Sequence, residues 1–211
     1  MDFINLLIQE EWLKTPRIIE AFQKIKRADF MPEDMKHLAE LNEALPIGYS
    51  QTISQPLVVA FMLELLQPEP GDKILDIGSG SGWTTALLSE IVGGKGLPAV
   101  GQGEVIAVEI IPELVKFGKD NVAKYNFIEK GIAKFIFSDG SKGYKKEAPF
   151  DKVLVSAESK ELPSEWREQL KIGGRMVAPI QGSIWLFIKK SNKNFEEKEH
   201  PGFAFVPLII K

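Results

Sequence analysis

Residues 74–82 read Ile-Leu-Asp-Ile-Gly-Ser-Gly-Ser-Gly, a short apolar run interrupted by an acid and followed by three alternating glycines. A helical pattern begins directly afterwards at Trp83. Open parallel α/β sheets bind ligands where the first strand passes through such a glycine turn into a helix. Glycine has no Cβ, so the main chain of the turn can approach a ligand closely. The segment therefore predicts an α/β fold with a ligand site at the turn.

Beyond residue 73 the chain alternates short apolar runs with helical segments. Because strands that alternate with helices pair in parallel, this pattern predicts a doubly wound sheet with helices on both faces. After Pro179 two more apolar runs follow without a clear helix between them, which predicts an antiparallel addition at the sheet edge. The expected fold is a mostly parallel, seven-stranded sheet with an antiparallel C-terminal strand. The predicted strands are 73–77, 105–109, 134–138, 152–156, 175–180, 183–189 and 203–209, and the predicted helices are 83–92, 112–125 and 163–170.

The part of the chain before residue 70 has a different pattern. Its apolar residues recur at helical spacing, for example Phe3, Leu6 and Leu7, which predicts short helices and no parallel strand. A further helix is predicted from Pro56, and the Pro-Glu-Pro-Gly of residues 68–71 ends it. We therefore expect an N-terminal helical extension that packs on the α/β core.

The composition limits the classes of protein that the chain can belong to. Its 211 residues are 44% hydrophobic, enough for one substantial core, and a formal charge of −3 argues against a nucleic-acid partner held by phosphate contacts. With no cysteine and two histidines, we expect no disulfide, no thiolate nucleophile and no metal site. Residues 1–5 carry an acid where a secretory signal has basic residues, and no apolar run approaches the ~20 residues of a membrane span. We expect a cytoplasmic protein without a membrane partner, acting as a monomer.

The glycine turn does not fit two common nucleotide-binding patterns. A nicotinamide or flavin fingerprint has its third glycine three residues beyond the second, where this chain has Trp83. The Walker pattern fails as well, because the turn lacks Gly-Lys-Ser/Thr. Asp76 beside the turn would repel a pyrophosphate and attract a ligand that carries positive charge.

Acidic residues lie at the ends of three successive predicted strands. Asp76 lies at the glycine turn, Glu109 ends the second strand, and Ser138-Asp139-Gly140 follows the third. S-adenosylmethionine carries an ammonium and a sulfonium and no phosphate, so these acids predict it as the cofactor, with Glu109 accepting the ribose hydroxyls and residues 138–140 bracketing the adenine. Alternatively, each acid merely caps a helix, although this does not explain the three acids together with the glycines.

Residues 44–56, Ala-Leu-Pro-Ile-Gly-Tyr-Ser-Gln-Thr-Ile-Ser-Gln-Pro, put five small hydroxyl or amide side chains in a turn-rich loop ahead of an apolar helix. A polar surface loop held next to a rigid core is suited to contacting a ligand. A simpler interpretation is that Thr52 and Ser54 cap the helix that begins near Pro56. Both interpretations stay open from these residues alone.

Several motifs along the chain resemble those of the protein-L-isoaspartate O-methyltransferase family, and the likeness covers most of the chain. The Leu-Pro-Ile-Gly-x-x-Gln-Thr-Ile-Ser-Gln-Pro of residues 45–56 is specific to that family, whereas the glycine motif is shared by many methyltransferases. The other matching segments are Arg-x-x-Phe-x-Pro at 27–32, Ala-Pro-Phe-Asp at 148–151, Leu-Lys-x-Gly-Gly-Arg at 170–175 and Phe-Val-Pro-Leu at 205–208.

The resemblance implies a Rossmann-like methyltransferase fold and transfer of a methyl group from S-adenosylmethionine to the α-carboxyl of L-isoaspartyl residues in damaged proteins or peptides. It implies that residues 1–70 form the helical extension with an active-site lid loop, and that residues 71–211 form the cofactor-binding core of one compact unit. In the family the serine that matches Ser54 is regarded as the active-site residue, so Ser54 is the expected catalytic residue. The expected cofactor-binding residues are Gln51, Thr52, Ile53, Ser54, Asp76, Gly78, Ser79, Gly80, Gly82, Glu109, Ile110, Asp139 and Gly140.

The segment around Glu158 departs from the family pattern. Glu158 follows the fourth predicted strand of the core, and we expect its side chain to point to solvent. A same-fold methyltransferase acting on another peptide or a small molecule would use this region for a different acceptor. Glu109 lies farther from the glycine turn than the ~20 residues usual in such α/β units. The additional residues are 93–103, which we expect to form a mobile surface loop. A binding module without turnover is a third hypothesis, and the intact acids and Ser54 argue against it.

Overall fold

The computed structural model describes residues 3–93 and 101–211, and a β-sheet forms its centre. Two short strands near the N-terminus, β1 (Leu45–Gly48) and β2 (Gln51–Ile53), form a separate hairpin. The strands of the central sheet are β3 (Lys73–Ile77), β4 (Glu104–Glu109), β5 (Ala133–Phe137), β6 (Phe150–Val155), β7 (Leu170–Ile180), β8 (Ser183–Lys189) and β9 (Phe195–Pro201).

The central sheet has the order β5-β4-β3-β6-β7-β8-β9. Strands β3 to β7 pair in parallel, β8 is antiparallel to β7, and β9 is antiparallel to β8. The chain runs from β3 outward to β4 and β5, then returns to β6 on the other side of β3. Such a reversal creates a crevice at the carboxyl ends of the strands. The predicted doubly wound, mostly parallel, seven-stranded sheet is confirmed.

The last strand is β9, and the prediction of a strand at residues 203–209 was wrong. The sequence of β9, Phe-Glu-Glu-Lys-Glu-His-Pro, is so polar that a search for apolar runs does not detect it. It lies at the sheet edge, where charged side chains stay in water and discourage pairing with other chains. Within residues 203–209, Pro207 forms an isolated bridge with Glu158 outside the sheet.

The described residues form six α-helices. Proline occupies the first turn of three of them, where its missing N–H would have no helical partner in any case. The helices are α1 (Phe3–Gln9), α2 (Pro16–Lys24), α3 (Pro56–Leu66), α4 (Trp83–Val92), α5 (Pro112–Ala123) and α6 (Ser164–Gln169). Two 3₁₀ turns, Arg27–Phe30 and Glu33–Leu38, connect α2 to the hairpin. The predicted helical character of the N-terminal part is therefore confirmed.

The polar segment that the sequence predicted as a loop is a β-hairpin. β1 and β2 pair in antiparallel register with Leu45 opposite Ile53, and both of these side chains are buried. Tyr49 and Ser50 form the turn with φ angles of 54° and 58°. A two-residue hairpin turn of type I′ has positive φ at both central positions, which residues with side chains rarely adopt. The local sequence therefore gave no signal for the turn.

Two hydrophobic clusters lie on opposite faces of the sheet. Successive residues of β3 belong to different clusters, Ile74 to the larger one and Leu75 to the smaller. The larger cluster joins the N-terminal helices to the core, as in the edge-to-face contact of Phe22 and Trp83 at 5.7 Å between ring centroids. The sheet and the helical extension thus share one continuous apolar interior.

The predicted surface loop at residues 93–103 falls mainly on residues 94–100, which lie outside the described residues. Within residues 3–93 and 101–211, no helix combines the length and apolar character needed to span a bilayer.

Candidate active site

A cavity opens at the carboxyl edge of the sheet, where β3 meets β4 and β6. The empty space between its walls, including its opening to solvent, is about 720 Å³, within the size range of small-molecule sites. Ten of the predicted site residues line this cavity: Gln51, Thr52, Ile53, Ser54, Gly78, Ser79, Gly80, Glu109, Ile110 and Gly140. The other three, Asp76, Gly82 and Asp139, lie behind the walls and do not line the cavity.

The glycine turn forms one wall of the cavity. Gly78, Gly80 and Gly82 all have positive φ, at 75°, 50° and 84°. A Cβ on Gly82 would lie 2.7 Å from the main-chain oxygen of Gly118 on α5. Gly82 is therefore required by the close packing of the turn on α5, whereas the main chain of Gly78 and Gly80 faces the cavity.

Asp76 lies beneath the glycine turn with its side chain fully buried. Its Oδ2 accepts hydrogen bonds from Thr85 Oγ1 at 2.6 Å and Thr84 Oγ1 at 3.1 Å, whereas Oδ1 has no partner within the described residues. Burial raises the pKa of Asp76 to about 6, against the effect of the two threonines, and the nearby Glu109 adds to the rise. A cation in the cavity would relieve this burial cost through its charge. Direct contact between Asp76 and a ligand stays a prediction.

Glu109 ends β4 and presents its carboxylate to the cavity. Its Oε2 accepts a hydrogen bond from Gly80 N at 3.0 Å, and its Oε1 accepts from Ile110 N at 2.8 Å and Ile111 N at 3.0 Å. These main-chain donors fix the carboxylate between the glycine turn and the start of α5. Since a carboxylate offers about four acceptor positions, it retains capacity for a hydroxyl donor of a ligand.

Asp139 is held by the protein itself. Its Oδ1 accepts from Ser141 N at 3.0 Å and Ser141 Oγ at 2.7 Å, and its Oδ2 accepts from Lys211 N at 3.0 Å. Gly140 lines the cavity beside it, packed so tightly on Ile77 that a Cβ would lie 2.5 Å from Ile77 Cγ2. In this structure Gly140 is thus the member of the 138–140 segment that a ligand can reach.

Ser54 lies between β2 and α3 and also lines the cavity, and its hydroxyl does not cap the helix. The N-cap residue of α3 is Gln55, and its side chain makes no capping hydrogen bond. The cap comes instead from Asn42, whose Oδ1 accepts from Leu57 N at 2.9 Å. The interpretation that Thr52 and Ser54 merely cap α3 is therefore wrong, and both residues line the cavity.

The remaining wall comes from the C-terminal segment 206–209. It is held by two main-chain hydrogen bonds, from Glu158 N to Val206 O at 2.8 Å and from Leu208 N to Glu158 O at 2.7 Å. The Glu158 carboxylate accepts from Gly182 N at 2.6 Å, so the expectation that this side chain points to solvent was wrong. It binds the main chain because the turn after β7 brings the Gly182 N–H against it. Glu158 itself does not line the cavity.

Sequence reasoning missed several residues of the walls. Ser156 and Ala157 follow β6, and the rule that ligands bind at carboxyl ends of strands would have identified them. Residues 206–209 carry a family motif at 205–208 but no local chemical signal, because apolar side chains there resemble any core segment. The wall residues missed are Ile77, Ser81, Trp83, Thr84, Val108, Ile111, Ser156, Ala157, Val206, Pro207, Leu208 and Ile209.

Unpaired polar atoms gather around the cavity. Buried side-chain atoms without a partner in the described parts of the chain include Asp76 Oδ1, Ser79 Oγ and Trp83 Nε1, and Ser79 and Trp83 line the cavity. Because buried polar atoms are nearly always hydrogen-bonded, this cluster indicates a polar ligand. No wall residue in the described chain is lysine or arginine, which disfavours a phosphate. The two carboxylates and the glycine turn suit S-adenosylmethionine, with its ammonium and ribose hydroxyls.

Comparisons with known proteins found relatives along the whole chain. The family described as protein-L-isoaspartate(D-aspartate) O-methyltransferase matches residues 1–211. A protein-L-isoaspartate O-methyltransferase of Methanopyrus kandleri is 41% identical over 202 residues, which cover 94% of this chain and 85% of that protein. The Pyrococcus horikoshii protein of the same name is 38% identical over 212 residues, covering 98% of this chain and 90% of that protein.

The fold is also that of a solved relative. A Plasmodium falciparum protein-L-isoaspartate O-methyltransferase, crystallised with S-adenosyl-L-homocysteine, superposes with a TM-score of 0.86 and 20% identity. The superposition covers 98% of this chain and 96% of that one. Taken with the match of the whole chain to one family and the two archaeal relatives, these findings mean that the chain belongs to the protein-L-isoaspartate(D-aspartate) O-methyltransferase family.

Proposed function

We propose that this protein is an S-adenosylmethionine-dependent carboxyl methyltransferase that methylates the α-carboxyl of L-isoaspartyl residues in damaged proteins or peptides. The family match over the whole chain supports this activity. The structural observation that carries it is that Ser54, whose side chain has no capping role, lines the same cavity as the glycine turn and Glu109. A methyl-donor side and an acceptor side thus face each other across one space.

The donor side is formed by the turn after β3 and the end of β4. S-adenosylmethionine, when bound, supplies an electrophilic methyl group on its sulfonium. Glu109, fixed by three main-chain N–H groups, would accept hydrogen bonds from the ribose hydroxyls. Gly78 and Gly80 let the main chain approach the amino-acid part, and the buried charge of Asp76 behind them favours its ammonium.

The acceptor side needs little chemistry of its own. A carboxylate is already a nucleophile at neutral pH, so the reaction does not require a general base. His37 and His200 are both absent from the cavity walls, which agrees with this view. Ser54 Oγ would donate a hydrogen bond to the acceptor carboxylate and orient one oxygen toward the methyl carbon. Most of the acceleration then comes from holding the reacting atoms in line.

The hairpin β1–β2 and residues 206–209 close the cavity from two sides. Both present apolar groups toward the space, including Ile53 and Leu208. Exclusion of water would strengthen the hydrogen bond from Ser54 and remove the hydration shell of the acceptor carboxylate. This arrangement supports the assignment of the hairpin as the lid of the site, with residues 1–70 as extension and lid and residues 71–211 as the cofactor-binding core.

The second hypothesis, a same-fold methyltransferase with another acceptor, depended on Glu158. Because its carboxylate is bound by Gly182 N outside the cavity walls, Glu158 gives no reason to expect a different acceptor.

We retain a cytoplasmic monomer as part of the proposal, and sedimentation equilibrium at micromolar concentration tests the monomer directly.

Two measurements test the proposed function. Calorimetry with S-adenosylhomocysteine should show saturable binding, and its failure would leave no cofactor site. Methyl-labelled donor should then put base-labile label on a peptide that contains isoaspartate and none on its aspartyl twin. Label on neither peptide, with the donor bound, would overturn the proposed acceptor and leave the methyl-donor site in place.

A further inference from the structure

A buried arginine lies behind the acceptor wall. Arg27 begins the 3₁₀ turn Arg27–Phe30 and is 2% exposed. Its guanidinium donates four hydrogen bonds to main-chain oxygens, with Nη1 bonded to Ala39 and Leu41 and Nη2 bonded to Glu43 and Ser54. The four distances are 3.1, 2.9, 2.7 and 3.1 Å respectively. The side chain thus links separate parts of the backbone through hydrogen bonds.

The hydrogen bonds of Arg27 join the residues just before α3 to the segment that caps this helix. Three of the carbonyls belong to residues 39–43, which also contain Asn42, the residue that caps α3 at Leu57 N. The fourth carbonyl is that of Ser54, 27 residues from Arg27 in sequence. Because the guanidinium is planar and rigid, its fork fixes the Ser54 main chain relative to the 39–43 segment.

Arg27 also contacts the donor side of the cavity. Its Cζ lies 5.4 Å from the ring centroid of Trp83, a residue that lines the cavity and begins α4. One buried side chain therefore contacts a residue of the acceptor wall and a residue of the donor wall. Within the described residues, Ser54 and Trp83 are linked through this guanidinium.

Burying the charge of Arg27 costs free energy, and the need to fill space in the core does not explain why an arginine lies there. No carboxylate of the described residues forms an ion pair with Arg27, and its Nε has no hydrogen-bond partner. Burial lowers the pKa of Arg27 to about 10, against the attraction of the Glu40 carboxylate, so the group remains charged at neutral pH. A buried charge that no carboxylate contacts directly still costs free energy, and an apolar side chain of similar volume would fill the same space.

We propose that Arg27 is a positioning residue for methyl transfer, which sets the distance between the Ser54 hydroxyl and the donor side of the cavity by holding the Ser54 main chain and the Trp83 ring together. This inference rests on the proposed function. Small displacements of a positioned group lower the rate strongly, whereas binding of the donor product depends on Glu109 and the glycine turn. A change at Arg27 should therefore lower turnover with the peptide far more than it weakens S-adenosylhomocysteine binding.

The test compares Arg27→Lys with a matched control, Arg175→Lys. Arg175 is half-buried and its Nε donates to the main-chain oxygen of Leu65 at 2.9 Å, outside the cavity walls. Both changes keep the charge and remove guanidinium-to-carbonyl bonds, so both should lower the melting temperature. Each variant is measured for melting temperature, S-adenosylhomocysteine dissociation constant, and kcat and KM with an isoaspartyl peptide at saturating donor. Arg27→Gln serves as the second variant where Arg27→Lys does not fold.

We expect Arg27→Lys to lower kcat by roughly tenfold or more, with the dissociation constant of S-adenosylhomocysteine changed less than about threefold. Arg175→Lys should leave kcat unchanged. In a Ser54→Ala background the further effect of Arg27→Lys on kcat should be small, because residues that act through one another are not additive. Equal loss of kcat in both backgrounds, or unchanged kcat in Arg27→Lys, would overturn the inference. Absence of turnover in the unmodified enzyme would instead overturn the proposed function, and with it the reaction that Arg27 serves.

Discussion

Asn42 Oδ1 accepts the hydrogen bond of Leu57 N at 2.9 Å, so the cap of α3 comes from a residue 15 positions before its partner. Serine and threonine before a proline-initiated helix would ordinarily be assigned this role. The Asn42–Leu57 bond caps the helix instead, and Ser54, which lines the cavity, makes no side-chain hydrogen bond within the described residues. In the proposed function, helix capping and acceptor binding therefore belong to different residues.

Ser54→Ala should lower kcat for an isoaspartyl peptide and leave the melting temperature unchanged. A hydrogen bond to a charged group contributes about 1.5–3 kcal/mol, so the expected loss is roughly tenfold to a hundredfold. Steady-state kinetics with the labelled methyl donor and a thermal unfolding curve measure the two effects on the same preparation.

Asn42→Ala is the matched control, since it removes the cap and keeps Ser54. It should lower the free energy of unfolding by ~1 kcal/mol. If Ser54→Ala destabilised the protein as much as Asn42→Ala and methyl transfer were unaffected, the Ser54 hydroxyl would be a structural group and its catalytic assignment would be wrong.

Glu109→Gln should weaken S-adenosylhomocysteine binding by at least about tenfold, because an amide cannot accept hydrogen bonds on both of its ends. The three main-chain N–H groups around Glu109 would then meet an NH₂ group on one side. Isothermal calorimetry gives the dissociation constant, and Glu113→Gln, an exposed change in the first turn of α5, is the control. Equal affinity for Glu109→Gln and the unmodified protein would remove Glu109 from the ribose site.

Asp76 should make the ligand-free protein more stable as the pH falls from about 6 to about 4. Its ordinary pKa is 3.8 and burial raises the native pKa to about 6, so in this window the native state binds a proton that the unfolded chain does not. The destabilisation by the buried charge is fully present above this window and absent below it, and its full size is ~3 kcal/mol.

Urea unfolding of the unmodified protein and of Asp76→Asn at several pH values between 4 and 7.5 measures this contribution. The difference between the two proteins isolates Asp76 from the other titrating groups. Parallel stability curves would mean that Asp76 is already paired in the native state.

Asp76→Asn should also weaken S-adenosylhomocysteine binding, because the ammonium of the ligand loses a nearby negative charge.

Gly82→Ala should destabilise the protein more than Gly48→Ala does. Both glycines have positive φ, at 84° and 92°, so both substitutions carry backbone strain of about 1–3 kcal/mol. A Cβ at Gly82 would additionally meet Gly118 O at 2.7 Å, whereas a Cβ at Gly48 meets nothing within 4 Å. Denaturant titration separates the two contributions, and equal losses would mean that the turn after β3 moves away from α5 at little cost.

Strong periodic signals made much of the fold predictable. The strand at residues 73–77 and the helix at 83–92 were placed at the boundaries that β3 and α4 have, because a buried run followed by glycine and then helical spacing is unambiguous. The alternation of strands and helices then fixed the parallel sheet. The same logic placed Glu109 and Gly140 at one edge, since carboxyl ends of parallel strands meet there.

The features that could not be predicted depend on contacts between distant residues or on unusual backbone. The Asn42 cap, the bond from Gly182 N to Glu158 and the wall formed by residues 206–209 join segments that are far apart in sequence or not locally patterned. The turn at Tyr49 uses positive φ without glycine, and the polar strand β9 is stable because β8 supplies its hydrogen bonds. Tertiary structure determines each of these, and local propensity does not.

The central claim is that this cavity selects the free α-carboxylate of an isoaspartyl residue. The most direct test offers methyl-labelled S-adenosylmethionine with three otherwise identical peptides: one with isoaspartate, one with aspartate, and one with isoaspartate whose α-carboxyl is replaced by a carboxamide. Base-labile label should enter the first peptide alone, because only that peptide presents an anionic α-carboxyl oxygen to Ser54. Comparable label on the aspartyl peptide or on the carboxamide peptide would contradict the account.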